Sequence, residues 1–271
     1  MPELPEVETA RRGIEPHLRG QRVVRVDLRQ TRLRFPVTRG LAKSLTGARI
    51  SRVERRAKYL LVRTNRGTLL IHLGMSGSLR ILSGAEAAGR HDHCDIWLES
   101  GRGLRFTDPR RFGSLLWTTK DPLQHRLIKH LGPEPLEKGF SGAYLYALSR
   151  RRKTPIKPLI MDARVVVGIG NIYASEALFA AGIRPTRQSG RISLERMELL
   201  VSKIREVLRR AIKAGGTTIR DFTGSEGTPG YFAQELLVYD RAGQPCPKCS
   251  APVRRKVLGQ RASYYCVACQ Q

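Results

Sequence analysis

Apolar positions follow two different periods along the chain, and the change of period divides it. Near the start, Val7, Ala10, Ile14 and Leu18 recur every three to four residues. That spacing predicts a helix with one buried stripe, stopped by Gly20. Short apolar runs then follow at 23–28, 50–53, 59–62, 69–73, 79–82, 94–98, 104–107 and 114–117, separated by Gly, Ser, Asp and Arg. Runs of this length at a spacing of roughly ten residues predict an antiparallel β-sandwich or barrel. The first helix would lie across it. The stretch Leu131-Gly132-Pro133-Glu134-Pro135-Leu136 predicts a linker. Beyond it the pattern turns helical, at 144–149, 154–162, 174–181 and 193–214, with Leu194, Met197, Val201, Ile204, Leu208 and Ala211 forming a core stripe on the last and longest. Residues 215–231 are rich in Gly, Thr and Ser; a loop this long tends to be functional and could close over a ligand.

Charge narrows the function. Lys and Arg number 49 against 23 acids, a net charge of +26 in 271 residues. That excess attracts polyanions, nucleic acid before an anionic membrane, because no basic amphipathic helix with an exposed aromatic face stands out. No apolar run is long enough for a membrane span, and the acidic N-terminus lacks the apolar segment of a signal peptide. A cytoplasmic location is the expectation. Five cysteines are too few for a secreted disulfide scaffold of this length.

Four of those cysteines form Cys246-x₂-Cys249 and Cys266-x₂-Cys269, sixteen residues apart. Two such knuckles with no open position are the pattern of a structural zinc site. Arg254, Arg255, Lys256 and Arg261 lie between them, which predicts a basic β-hairpin on a zinc-stiffened base. At the other end, Met1-Pro2-Glu3-Leu4-Pro5-Glu6 admits two readings. Prolines and acids suit a helix N-terminus. Removal of Met1, which a small second residue favours, would instead leave Pro2 as a free secondary amine that can attack an electrophilic carbon and form an imine. Glu3 and Glu6 lie close enough to tune that amine or move protons.

Three loops add candidates. Arg55-Arg56-Ala57-Lys58-Tyr59 is either a solvated basic face or a phosphate and proton handler. Met75 sits between Gly74 and Gly77, and Phe112 in Thr107-Asp108-Pro109-Arg110-Arg111-Phe112-Gly113. For each, local packing and insertion into a base stack stand as alternatives. His91-Asp92-His93 resembles a metal pair without further ligand spacing, and Cys94 reads as a core thiol. After Gly168-Ile169-Gly170, Asn171 is positioned to cap the next helix, whose N-terminus suits a phosphate.

Taken in order, Pro2–Glu8, Arg56–Leu60, His72–Arg80, Thr107–Gly113, Gly168–Ser175, Gly215–Phe222, Pro229–Glu235 and the final cysteine hairpin resemble the bacterial formamidopyrimidine-DNA glycosylases from end to end. The resemblance implies an α+β multidomain chain. Residues 1–132 would form a catalytic domain of N-terminal helix plus antiparallel β-sandwich, 133–225 a helix-two-turns-helix DNA-binding domain, and 226–271 the end of a lesion loop with a four-cysteine zinc finger. It implies a base-excision enzyme that removes oxidised purines, 8-oxoguanine and formamidopyrimidines, through an imine at Pro2, and then cuts the strand by β,δ-elimination. Glu3 would protonate the opening sugar, Lys58 would serve β-elimination, and Arg261 δ-elimination. His91, Arg110, Arg152, Asn171 and Lys157 would contact DNA, with Asn171 and Lys157 on phosphates beside the lesion. Met75, Arg110 and Phe112 would fill the gap left by the flipped base. Cys246, Cys249, Cys266 and Cys269 would hold one structural Zn²⁺, with no organic cofactor. The partner would be double-stranded DNA carrying oxidised purines, the protein a monomer in the bacterial cytoplasm, associated with the nucleoid. The loop at 217–230 covers the base in relatives and has Arg220 where others carry lysine, so lesion preference can vary there. The alternatives are a non-catalytic binder of damaged DNA and the endonuclease VIII family, which prefers oxidised pyrimidines. The Glu3-Leu4-Pro5-Glu6 start and the Asp108–Phe112 loop favour the purine enzyme.

Overall fold

The computed structural model describes residues 2–217 and 232–271. The chain folds as two units, Met1–Lys129 with Ala214–Ala233, and His130–Lys213 with Gln234–Gln271. In the first, helix α1 (Leu4–Leu18) precedes strand β1 (Val23–Leu28), short helix α2 (Leu41–Leu45) and strands β2 (Ile50–Arg56), β3 (Tyr59–Thr64), β4 (Gly67–His72), β5 (Ser78–Leu82), β6 (Asp92–Leu98), β7 (Gly103–Thr107) and β8 (Ser114–Thr118). The strands make two four-stranded antiparallel sheets, β1-β6-β7-β5 and β2-β3-β4-β8. All eight expected strands are present, as a sandwich. Its core joins Val7, Ala10, Ile14 and Leu18 of α1 to inward residues of both sheets such as Leu60, Ile71, Leu79 and Phe106. Burying side chains of this size contributes about 1.5–3 kcal/mol each. Cys94 belongs to this core, and burial pushes its thiol up to about 12. Helix α2 was not expected.

The second unit holds helices α3 (Gly142–Ser149), α4 (Ile156–Met161), α5 (Asn171–Ala180) and α6 (Leu194–Lys213), then the hairpin β9 (Arg254–Leu258) and β10 (Arg261–Tyr265). Helix α6 buries Met197, Leu200, Val201, Ile204, Val207, Leu208 and Ala211, but Leu194, expected in that stripe, is exposed in its first turn. The Pro/Gly stretch at 131–136 is not a free linker. The Gly132 N–H donates to Ala163, the Pro133 carbonyl accepts from the Val167 N–H, Arg205 binds the Pro135 carbonyl, and Glu134 is buried. Its prolines lack N–H donors, so neighbours satisfy their carbonyls and the segment packs as part of the helical unit. No helix among the described residues is long and apolar enough to cross a membrane.

Candidate active site

Strand register brings the candidate loops of the first unit to one end of the sandwich. In one sheet Arg56 pairs with Tyr59, Tyr59 with His72, and His72 with Ser114. In the other, Thr107 pairs with both Ser78 and Asp92. The chain crosses between the sheets at this end twice, through 73–77 and through 108–113. Lys58, Met75, His91, Arg110 and Phe112 therefore leave from the same end. Helix α1 joins them. The Glu8 carboxylate accepts from Arg55 at 3.2 Å, Arg11 reaches the Val53 carbonyl, and the Gly20 N–H donates to Ile50 at 2.8 Å. Hence α1 runs antiparallel to β2 and carries Pro2 and Glu3 to the end where Lys58 lies.

Glu3 is the N-cap of α1 and is 2% exposed, with Pro2 buried beside it. Glu6 reaches back to accept the Glu3 N–H at 2.8 Å, and its other oxygen accepts from the N–H and hydroxyl of Thr217 at 2.9 and 3.0 Å. One buried carboxylate thus fixes the start of the chain to the residue that opens segment 218–231. That segment, with Arg220 and most of the expected lesion loop, lies outside the described residues.

Lys58 occupies a two-residue turn between β2 and β3 in which Ala57 has φ 55°. A non-glycine residue in that region costs about 1 kcal/mol or more, so the sheet pairing on both sides holds it there. His72, at the end of β4, packs against Tyr59 with ring centroids 4.8 Å apart. Burial, then the charges of Lys58 and Arg34, lower its pKa to about 4. It is a neutral ring whose Nδ1 accepts the Gly74 N–H at 2.9 Å, bracing the loop that carries Met75.

The Met75 loop and the loop at 108–113 touch through their backbones. A Cβ on Gly74 would fall 2.3 Å from the Phe112 carbonyl carbon, so only glycine fits, and its φ of 66° asks for glycine as well. Phe112 is 42% exposed, and the Arg110 guanidinium stands 5.0 Å from its ring centroid. An aromatic ring held out in solvent under a cation suits insertion into a base stack better than local packing. His91 is half-buried, and the nearby His93 donates its Nε2–H to the Asp108 carbonyl at 2.8 Å from inside the sandwich. No metal cluster involving this pair occurs among the described residues.

In the second unit Arg152 is exposed just after α3. Asn171 is the first residue of α5 and not its cap, which is Gly170. The Gly-rich approach, with Gly168 at φ 80°, lets the backbone alone turn into the helix. The Asn171 side-chain oxygen is buried without a hydrogen-bond partner. Lys157, expected to contact a phosphate, lies inside this unit. Lys157 is 1% exposed, and its Nζ donates to the Ala262 carbonyl and the Ser263 hydroxyl, both at 3.0 Å. The hairpin covers this ammonium, so it braces β10 next to Arg261. Arg261 is exposed, directly after a turn in which Gly259 and Gln260 both have positive φ. That is the tight turn favoured by the twist of a two-stranded hairpin.

The sulfurs of Cys246, Cys249, Cys266 and Cys269 lie within 4.8 Å of one another, with Cys246–Cys269 at 3.8 Å and Cys249–Cys266 at 3.4 Å. Thiolates around tetrahedral Zn²⁺, bound at about 2.3 Å, stand about 3.8 Å apart, so the set fits a closed structural site. Sequence reasoning overlooked Glu176. This α5 carboxylate is 3% exposed and accepts three backbone N–H groups, of Leu237, Val238 and Tyr239, at 2.8–3.0 Å. It ties the segment leading into the zinc hairpin to α5. The visible signal was a lone acid in the apolar run Ala174–Ala180.

Known proteins match in the same order. The Formamidopyrimidine-DNA glycosylase N-terminal domain model matches residues 1–115, its H2TH domain model 131–223, and the zinc finger found in FPG and IleRS 243–271. These define a class, the base-excision DNA glycosylases with a structural zinc finger. Formamidopyrimidine-DNA glycosylase of Stutzerimonas stutzeri is 60% identical over the full length of both chains. A Lactococcus lactis FPG mutant, in complex with a Fapy-dG containing DNA, superposes with a TM-score of 0.92 at 33% identity and full coverage of both chains. The wild-type Lactococcus lactis Fpg with an oxidized pyrimidine containing DNA gives 0.91 at 32% identity, also at full coverage. The chain belongs to the formamidopyrimidine-DNA glycosylase family. It is a DNA glycosylase of base-excision repair with structural zinc, and AP-lyase activity is typical of its family.

Proposed function

We propose that this chain excises oxidised purines from duplex DNA as a monomer, with the Pro2 amine as nucleophile. The observation that carries the reading is the convergence of Pro2, Glu3, Lys58 and the Met75, Arg110 and Phe112 loops at one end of the sandwich. A nucleotide inside a duplex is out of reach, so it must leave the stack at a cost of a few kcal/mol. Met75, Arg110 and Phe112 offset part of that cost by occupying the vacated space. With Met1 removed, the Pro2 nitrogen attacks C1′, the base leaves with a proton, and an iminium forms as Glu3 protonates the opening sugar oxygen. The iminium acidifies C2′. Loss of that proton expels the 3′ phosphate, the step Lys58 serves, and a second elimination, served by Arg261, expels the 5′ phosphate. His91, Arg110, Arg152 and Asn171 hold the DNA.

Borohydride trapping tests this. A duplex with one 8-oxoguanine opposite cytosine, incubated with enzyme and borohydride, should give a covalent adduct that mass spectrometry maps to Pro2. Tight binding without an adduct would sink the imine, and an adduct formed only on an oxidised pyrimidine would overturn the purine preference. The Lactococcus relative crystallised with an oxidised pyrimidine makes that second arm worth running. A stable dimer in sedimentation would overturn the monomer.

A further inference from the structure

Asp108 joins three segments at this end of the sandwich, though no step of the reaction uses it. It is 0% exposed. One carboxylate oxygen accepts the Ser76 hydroxyl at 2.8 Å, and the other accepts the Gly113 N–H at 2.7 Å. Its own N–H donates to the His91 carbonyl at 3.0 Å, and its carbonyl receives the Arg111 N–H and the His93 ring nitrogen. Ser76 is itself buried and, while donating to Asp108, accepts the Arg110 N–H at 3.2 Å. No arginine or lysine among the described residues pairs with this carboxylate.

A buried carboxylate costs several kcal/mol unless every lone pair is satisfied, and an apolar plug would fill the same space at lower cost. What the carboxylate adds is direction. It joins the loop carrying Met75, the loop carrying Arg110 and Phe112, and the strand end carrying His91. These are three segments far apart in sequence that must act together. The backbone conformations around it are uphill when isolated, since Arg111 sits at φ 56°. We infer that Asp108, through Ser76, is a positioning residue that holds Met75, Arg110 and Phe112 as one preformed wedge, so that base extrusion does not have to order them. The inference rests on the wedge reading proposed above. It deepens that reading by naming the residues that set the rate of extrusion without touching DNA.

The test uses Ser76→Ala and Asp108→Asn in the full-length, zinc-loaded protein. Base extrusion is followed by stopped-flow fluorescence of 2-aminopurine placed beside 8-oxoguanine, and cleavage is followed in single turnovers on the lesion duplex and on a duplex with a preformed abasic site. Extrusion and lesion excision should slow about tenfold, the scale of one lost buried hydrogen bond. Cleavage of the abasic duplex, where no base is left to displace, should stay within about twofold. Equal loss on both duplexes would mean that Asp108 only stabilises the fold, and would overturn the inference. So would unchanged extrusion in both variants while Phe112→Ala slows it. If Phe112→Ala and Met75→Ala both leave extrusion unchanged, the wedge reading itself fails, and the clamp with it. Should Asp108→Asn not fold, Ser76→Ala gives the same decision, because it removes one hydroxyl while the Gly113 N–H still holds the other carboxylate oxygen.

Discussion

His72 links protonation to loop position at the scale of a single ring. Its Nδ1 can accept the Gly74 N–H only while the ring is neutral, and burial with Lys58 and Arg34 nearby keeps it neutral down to about pH 4. In the unfolded chain the same ring takes a proton near pH ~6.5. Its folded pKa is depressed, so its contribution is fully present above about pH 6.5 and is lost as pH falls from there toward 4. At about 1.4 kcal/mol per unit the limit is about 3 kcal/mol. His72→Gln, which keeps an acceptor but cannot titrate, should flatten the loss of stability over that window in urea melts. An unchanged slope would show that other groups govern it. The Asp95–Arg105 pair gives a second case. Burial raises the Asp95 carboxyl, but hydrogen bonds from Arg105 and Arg29 outweigh burial and leave it below the usual carboxylate range. Arg105 is 2% exposed and also holds the Glu86 and Ala87 carbonyls. Arg105→Met should therefore cost about 3 kcal/mol or more in chemical denaturation, because it strands a buried charge. A loss under about 1 kcal/mol would mean that Arg29 alone satisfies Asp95.

At the scale of elements, the zinc hairpin is the part most dependent on one ion. Its core is small, drawing on Phe179, Val238, Val253 and Tyr264 around Cys246 and Cys266, and its strand β9 is almost wholly exposed. Chelation, or Cys266→Ser, should remove one Zn²⁺ by native mass spectrometry and disorder the hairpin. Arg261 would then lose its fixed place, and affinity for duplex DNA should fall at least tenfold while the sandwich strands keep their circular dichroism. Retained affinity after zinc loss would show that the hairpin does not hold DNA. This element was legible in the sequence because zinc needs its ligands at fixed spacing. The eight strands were legible because each is a short apolar run bounded by turn residues. Helix α2 was not, since five residues are too few to show a helical repeat. The burial of Lys157 was not legible, because only the β10 carbonyl and hydroxyl that receive its ammonium, more than a hundred residues on, reveal it. Asp108 and Ser76 stand 32 residues apart and meet only through sheet register, so no local pattern announces their bond.

At the scale of the whole molecule, the proposed wedge and the +26 charge would divide the work of recognition. Phosphate contacts of the kind proposed for exposed Arg152 carry no sequence or lesion information, and their strength falls as salt rises because bound counterions are no longer released into a dilute solution. Extrusion of a damaged base is a stacking and packing event that salt leaves nearly untouched. The two should separate in a salt titration. Affinity for undamaged and for 8-oxoguanine duplexes should fall along parallel lines in log–log form, with the preference for the lesion constant. Arg152→Ala should reduce both slopes by about one unit without changing that preference. Phe112→Ala should do the reverse, leaving the slopes alone and narrowing the gap. Lines that converge as salt rises would place lesion selection in the charged contacts, and would leave the exposed ring of Phe112 without the role its geometry suits.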